Sequence, residues 1–294
     1  MTLKEEASYT FSSESCPHQP WKGDLTELSP KEKALGRFSL EGKTCVVTGG
    51  ARGLGLDAAY AVLEHGVKTI FLLDWNPVNL ENAVNILKNL YPDREIYSKT
   101  VDVTLEQQVI DSATYVRTKL EDKPLDILLV FAGIAFLKKA EDHSLNDWNN
   151  VMNINSTGTF LATKHFGQIM IDKGTGGSII LTGSISGHAA HFPQPQIAYH
   201  ASKGAVILMK NSFAAEWACH NIRVNSISPG YMDTALNEGD RMKYQRDTWV
   251  KRTPMNRMGA RGELNGAVIL LASDAGTFIT GSDILVDGGI SCVY

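Results

Sequence analysis

Thr48-Gly49-Gly50-Ala51-Arg52-Gly53-Leu54-Gly55 decides how the rest of the chain is read. It follows Thr44-Cys45-Val46-Val47, an apolar run that reads as a buried strand. It precedes Leu56 to His65, which reads as a helix closed by Gly66. Glycines at a strand-to-helix turn let the backbone approach a pyrophosphate. The start of the helix adds free N–H groups and the positive end of its dipole. The spacing is GxxxGxG rather than the commoner GxGxxG, and a Gly-rich turn alone is often only a turn. Its place between strand and helix makes Gly49, Arg52, Gly53, Leu54 and Gly55 candidates for holding a dinucleotide.

Outward from that turn the pattern repeats. Thr69-Ile70-Phe71-Leu72-Leu73 is the next apolar strand, and Asn76-Pro77 opens a helix with Asn as cap and Pro in the first turn. Glu95 to Val101 reads as a third strand, and Thr104-Leu105-Glu106-Gln107 as a capping box before another helix. Leu125 to Phe131, Ser178 to Leu181, Val224 to Ile227 and Ile284 to Val286 are further apolar strands. Continuous apolar strands separated by helices imply a parallel sheet covered on both faces. The expected fold is α/β, a single-domain Rossmann arrangement with a doubly wound parallel sheet and helices on both faces. Residues 1–35, with Pro17, Pro20 and Pro30 and no sustained period, read as a partly ordered N-terminal arm, most simply a passive leader, though its Trp21 and Leu25 are able to dock on the body. Residues 36–294 form the one domain, without internal repeats.

Composition narrows the class. Of 294 residues 43% are hydrophobic, enough for a large core, and 28 basic against 32 acidic residues leave a net charge of −4. That balance points to neither a nucleic acid nor a membrane surface as partner. Cys16, Cys45, Cys219 and Cys292 show no CxxC spacing, which suits a reducing compartment and argues against a disulfide framework or a zinc site. The histidines are dispersed, so no metal is expected. With no bilayer-length apolar run and a polar N-terminus carrying Glu5 and Glu6, a cytoplasmic protein is expected.

Asp74 ends the second strand, nineteen positions after Gly55, followed by Trp75. An acid there is placed to bond the adenosine ribose hydroxyls and to repel a 2′-phosphate, which favours NAD. Arg52 pulls toward NADP, because a basic residue in the glycine turn can pair with that phosphate. Asp74 also reads as a simple cap before Asn76-Pro77.

Tyr199-His200-Ala201-Ser202-Lys203 has the form YxxxK, which on a helix puts phenol and ammonium on one face. Tyr115-Val116-Arg117-Thr118-Lys119 matches as well, but lies in an amphipathic surface helix with no Ser-bearing strand end before it, and is set aside. The second copy has company. Ser184 follows the strand ending at Leu181, fifteen positions before Tyr199, and Asn155 lies in a helix expected from about Ser144 to Ile171. Ser184 alone also reads as a cap, and Asn155 alone as a polar residue in a buried helix.

From about Phe38 to Tyr294 the chain resembles the short-chain dehydrogenase/reductase family. The matching pieces, in the family's order, are Thr48–Gly55, Asp102, Ala132-Gly133, Asn155, Ser184, Tyr199, Lys203 and Pro229-Gly230-Tyr231-Met232-Asp233-Thr234. The resemblance implies Tyr199 as acid/base and Lys203 as the residue that binds the nicotinamide ribose and lowers the Tyr pKa. It implies Ser184 as holder of the substrate oxygen and Asn155 as anchor of a water in the proton relay. It places Met232 and Thr234 on the nicotinamide side and Asp102 and Val103 around the adenine. Phe131-Ala132-Gly133 departs from the family's usual Asn-Ala-Gly, which puts the geometry of the adenine side in question.

The stretches 177–188, Pro193-Gln194-Pro195-Gln196, 223–231 and Val286-Asp287-Gly288-Gly289 are similar to fungal-type polyol dehydrogenases, the mannitol and D-arabinitol dehydrogenase and L-xylulose reductase group. That resemblance implies a small-molecule polyol/ketose couple. His188, His191, Phe192, Gln194 and Gln196 either line the pocket or cover a loop, and Asp233 to Met258 reads as a polar, irregular, mobile lid with Met242, Trp249 and Met255 as walls or packing. Two other readings stand beside the polyol one: reduction of a larger biosynthetic ketone, and a catalytically silent nucleotide-binding sensor supported by Phe131. The resemblance further implies a homotetramer or homodimer packed through the helices near Asn155 and Tyr199 and the C-terminal segment, with Ala205 to Met209 as interface or core.

Overall fold

Seven parallel strands in the order β3-β2-β1-β4-β5-β6-β7 organise the computed structural model, which describes residues 28–191, 193–234 and 242–293. The strands are β1 (Thr44–Thr48), β2 (Thr69–Asp74), β3 (Glu95–Thr100), β4 (Ile127–Val130), β5 (Gly177–Thr182), β6 (Ile222–Pro229) and β7 (Asp283–Val286). The helices are α1 (Pro30–Gly36), α2 (Gly53–Glu64), α3 (Pro77–Leu90), α4 (Glu106–Leu120), α5 (Leu145–Met152), α6 (Gly158–Lys173), α7 (Ile197–Trp217), α8 (Lys243–Arg252) and α9 (Asn265–Ala272). The doubly wound parallel sheet is therefore as expected.

Alternation within the strands builds two apolar layers, because successive side chains leave a strand on opposite faces. Cys45, Val47, Ile70, Leu72, Ile127 and Leu129 face α2, α3 and α9. Val46, Phe71, Leu73, Leu128 and Val130 face α4, α6 and α7. Strands β1, β2 and β4 are buried along their whole length, whereas edge strands β3 and β7 are only partly covered and carry polar residues such as Glu95, Lys99 and Asp283. The sheet order reverses between β1 and β4, and the carboxyl ends flanking that switch point are where a doubly wound sheet binds ligands.

Two local expectations need correction. Thr104 does not cap α4: the cap position is Leu105, and the Thr104 hydroxyl donates instead to Asp102 Oδ1 at 2.7 Å. The nearby carboxylate outcompetes the helix N–H groups for a short hydroxyl. The segment from Asp233 to Met258 is not irregular throughout, since it contains α8, whose single buried residue is Trp249. One buried residue in ten, with Val250 directly beside it in the sequence, leaves no helical stripe to read. The final residues of the expected arm are helical: Ser29 and Glu32 form a reciprocal capping box and Pro30 occupies the first turn of α1. Trp21 and Leu25 lie outside the described residues, as does Phe192. The expected Asn76 cap with Pro77 in the first turn of α3 is present, with Asn76 Oδ1 accepting from the Asn79 N–H at 2.9 Å.

Candidate functional site

The glycine turn packs hard against the end of β4. A Cβ on Gly49 would lie 2.6 Å from Ala132 N, and one on Gly55 2.3 Å from Gly49 O, so neither position admits a side chain. Gly49 also sits at φ +68°, a left-handed conformation that favours glycine. No side chain caps the N-terminus of α2, and Arg52 at the cap position is exposed, its guanidinium without an ion-pair or hydrogen-bond partner among the described residues. Two buried hydroxyls at strand carboxyl ends, Thr48 Oγ1 and Thr182 Oγ1, have no partner among the described residues. An uncapped helix start beside a glycine turn and two orphaned hydroxyls fit a dinucleotide, which brings an anion and further donors and acceptors.

Asp74 is buried at the end of β2. Its Oδ2 accepts from the Ala51 N–H at 3.2 Å and its Oδ1 from the Asn76 N–H at 3.1 Å. The carboxylate thus ties the glycine turn at Ala51 to the loop at Asn76, while Asn76 itself caps α3. Val101 N–H donates to Asp74 O at 2.9 Å, bringing Asp102 and Val103 beside it. Asp102 accepts from the Thr104 N–H and hydroxyl, and Val103 is buried against Gly158. Trp75 is exposed.

Phe131, at the position of the family's usual Asn, is partly buried against the core layer of α2. Its backbone N–H donates to Thr48 O at 3.0 Å, so β1 and β4 remain tied at this point by main chain.

Asn155 lies in a π turn, Asn153–Thr157, which joins α5 to α6 in one continuous helical run. A widened turn of this kind re-aims a side chain and is a frequent feature of functional sites. The Thr159 hydroxyl donates to Asn155 O at 2.7 Å and satisfies a carbonyl in the disturbed ladder. The Asn155 side chain is fully buried and fully used. Its Oδ1 accepts from Ile134 N–H at 2.8 Å, and its Nδ2 donates to Ile134 O at 2.9 Å and to Ser202 Oγ at 3.0 Å. Ser202 in turn donates to Tyr199 O at 2.8 Å. Asn155 therefore links the loop after β4 to the first turns of α7. Ser202 escaped the sequence reading although it sits inside the YxxxK stretch.

Ser184, two residues beyond β5, is buried, accepts from the Ser186 N–H at 3.1 Å and lies close enough to the Tyr199 phenol to influence it. Burial pushes the Tyr199 phenol up from its usual value and the Ser184 hydroxyl pulls it back down. Lys203 does not point its ammonium at the Tyr199 oxygen. Nζ donates to Thr182 O at 2.7 Å and lies 5.7 Å from the Tyr199 ring centroid. Burial lowers its pKa to about 8. Gly133 lies beside both groups, since a Cβ there would be 3.2 Å from Asn155 Oδ1 and 3.7 Å from Lys203 Nζ. The competing Tyr115 packs edge-on against Phe71 in the outer layer, remote from this cluster.

Ser184 and Tyr199 open onto a cavity of about 220 Å³ that Leu54, Thr182, Pro229, Gly230, Met232 and Thr234 also line. The turn and the segment after β6 thereby meet. Met232 pairs with Gly259, and the 257–263 region is tied back to α2 by a bidentate Arg261–Asp57 ion pair at 2.7 and 2.9 Å. Of the expected pocket residues, Gln194 and Gln196 line the cavity, as do Met242 and Trp249. His191 packs edge-on against Tyr231 with Nε2 on Ile185 O, His188 pairs with Asp283 at 2.8 Å, and Met255 borders a separate cavity of about 140 Å³. Among the described residues no cluster of His, Cys, Asp and Glu could hold a metal ion, and no helix is long and apolar enough to cross a membrane.

Known proteins share this arrangement. A family model described as enoyl-(acyl carrier protein) reductase matches residues 49–291. A sorbose reductase of Schizosaccharomyces pombe is 38% identical over 257 residues, covering 86% of this chain and 97% of its own. An NADP-dependent mannitol dehydrogenase of Hypocrea jecorina is 35% identical, covering 87% and 95%. The crystal structure of a gluconate 5-dehydrogenase from Burkholderia cenocepacia, in complex with NADP and tartrate, superposes with a TM-score of 0.80 at 31% identity over 89% of this chain and 100% of that one.

Proposed function

The chain belongs to the short-chain dehydrogenase/reductase family, and we propose that it interconverts a secondary alcohol and a ketone of the polyol/ketose class. One observation carries this reading: Ser184 and Tyr199 share a cavity at the carboxyl ends of the central strands, with Lys203 anchored on its wall through Thr182. The names of the related sorbose reductase and mannitol dehydrogenase support the substrate class. A nicotinamide cofactor, when bound, supplies or accepts the hydride. In the reductive direction Tyr199 donates its phenolic proton to the developing alkoxide, and Ser184 stabilises charge on the same oxygen. A phenol held above its usual pKa stays protonated and ready to donate near neutrality. Lys203, protonated below about pH 8, places a positive charge beside Tyr199 and donates to Thr182 O on the cavity wall. Asn155 holds the Ile134 backbone and the start of α7 in register.

NAD is the cofactor this reading favours. The Asp74 carboxylate is buried and pinned by two backbone N–H groups, so it has no rotation by which to avoid a 2′-phosphate. Arg52 pulls the other way from the exposed side of the turn. A homotetramer or homodimer fits the exposure of Phe160 on α6, Leu208 on α7 and Phe278 near the C-terminal strand, while Val206 belongs to the core. Solution mass tests that assembly.

The second reading, reduction of a bulkier ketone, draws on the apolar cavity residues Leu54, Leu137, Ile185 and Met242. Nicotinamide absorbance with NAD and NADP, each against polyols, ketoses and bulky ketones, separates the two. NAD-linked turnover of a polyol is the expected outcome. Activity on bulky ketones alone would select the second reading, and bound cofactor without turnover of any substrate would select a silent sensor.

A further inference from the structure

Trp249 is the one buried residue of α8, and its indole Nε1 has no hydrogen-bond partner among the described residues. A buried N–H without an acceptor is disfavoured, and the indole N–H of a buried Trp usually finds a partner. The residue lines the same cavity as Ser184 and Tyr199. Its orientation is set: the indole lies flat on the Tyr231 ring, centroids 4.3 Å apart and planes 5° off parallel. The Arg246–Asp233 ion pair at 2.7 Å holds α8 to the segment after β6.

Tyr231 organises the next group along this wall. Its hydroxyl donates to Gln194 Oε1 at 3.1 Å, which leaves the Gln194 amide nitrogen as the free donor of that side chain. Gln196 is turned the other way, with Nε2 on Ser186 Oγ at 3.3 Å, leaving its carbonyl oxygen as an acceptor. All three side chains line the cavity, and none of these polar ends takes part in the chemistry assigned to Ser184 and Tyr199.

We propose that Trp249 Nε1 and Gln194 Nε2 donate hydrogen bonds to hydroxyls borne on carbons beyond the reacting one, so that this pair selects polyhydroxylated substrates over ketones lacking such hydroxyls. The inference rests on the polyol/ketose reading above. A site built to bond a hydroxyl discriminates strongly against an analogue without it, because its buried donor is then left unpaired. The Tyr231–Trp249 stack is the positioning element: it fixes where the donor points, and it does not touch the reacting carbon.

The test compares the parent with Trp249→Phe, which keeps the stacked ring and removes the N–H, and with Gln194→Leu, which lies outside α8. Each is assayed on a ketohexose and on an unbranched six-carbon ketone without hydroxyls. The ratio of kcat/KM for the ketohexose to that for the plain ketone is expected to fall by about tenfold or more in each variant. Cofactor affinity and melting temperature, read in parallel, separate this from a folding defect. A parent that turns over the ketohexose, with an unaltered ratio in both variants, overturns the inference alone. A parent that turns over only the plain ketone overturns the polyol reading and the inference with it.

Discussion

Lys203 Nζ lies 2.7 Å from the carbonyl oxygen of Thr182, so its ammonium is held by the end of β5 rather than by the oxygen of Tyr199. Two elements that border the candidate site are thereby joined: the strand that leads to Ser184 and the helix that bears Tyr199. The arrangement keeps a cation in a water-poor position, and burial brings its pKa down to about 8.

Lys203→Met is expected to abolish turnover without lowering the melting temperature at pH 7. The folded pKa lies below the value of about 10.4 for an unfolded lysine. Between these values the unfolded chain binds more protons, so the stability of the parent rises with pH there. Any advantage of the Met variant is therefore greatest below pH 8 and is lost by about pH 10.4. Thermal melts across that window check the sign. A variant melting far below the parent at pH 7 would mean that the bond to Thr182 outweighs the desolvation of the ammonium.

Tyr199→Phe is expected to reduce turnover by about 10²-fold to 10⁴-fold, the usual contribution of a positioned acid/base. Cofactor affinity should stay within a few-fold of the parent, because the ring and the helix remain. Calorimetric titration with cofactor, run beside the rate assay, provides both readouts. Retained turnover would remove Tyr199 from the chemistry.

Asp74→Asn is expected to shift the NADP-to-NAD ratio of kcat/KM upward by about tenfold, equivalent to about 1.4 kcal/mol. It removes the charge that, on the proposed reading, repels a 2′-phosphate, and it turns a nitrogen toward a backbone N–H where an oxygen accepted. A stability loss of about 1–3 kcal/mol follows from that mispaired contact. An unchanged ratio would assign cofactor choice to Arg52.

Asn155→Ala removes a fully buried side chain that bonds both backbone groups of Ile134 and Ser202. The expected cost is about 2–4 kcal/mol of stability, together with most of the activity. Ser202→Ala should cost less, and the double variant less than the sum, because the two residues share one hydrogen bond. Chemical denaturation of the four proteins measures the coupling.

Much of the candidate site is legible in the sequence because its signals are local. Residues four apart on a helix share a face, which put Tyr199 and Lys203 together before any fold was known. Ser184 and the glycine turn were marked by their positions at strand ends. The Thr104 cap was misread because a competing carboxylate, Asp102, lies only two residues away. The helical nature of 243–252 was hidden because a single Trp gives no period. Gln194 and Gln196 could not be told from His188 and His191 by residue type: the first two line the cavity, and the last two bond Asp283 and Ile185 O.

By itself, the sequence determined the layer architecture, the place of the glycine turn and the order of the chemical groups along the chain. Each depends on short-range periodicity or on spacing along one element. Tertiary structure alone decided which groups meet. Arg261 reaches Asp57 across 204 residues, Tyr231 reaches Gln194 across 37, and Lys203 turns to Thr182 rather than to the neighbour on its own helix. Those choices rest on burial and on competition among hydrogen-bond acceptors, and both exist only once the sheet has closed the chain upon itself.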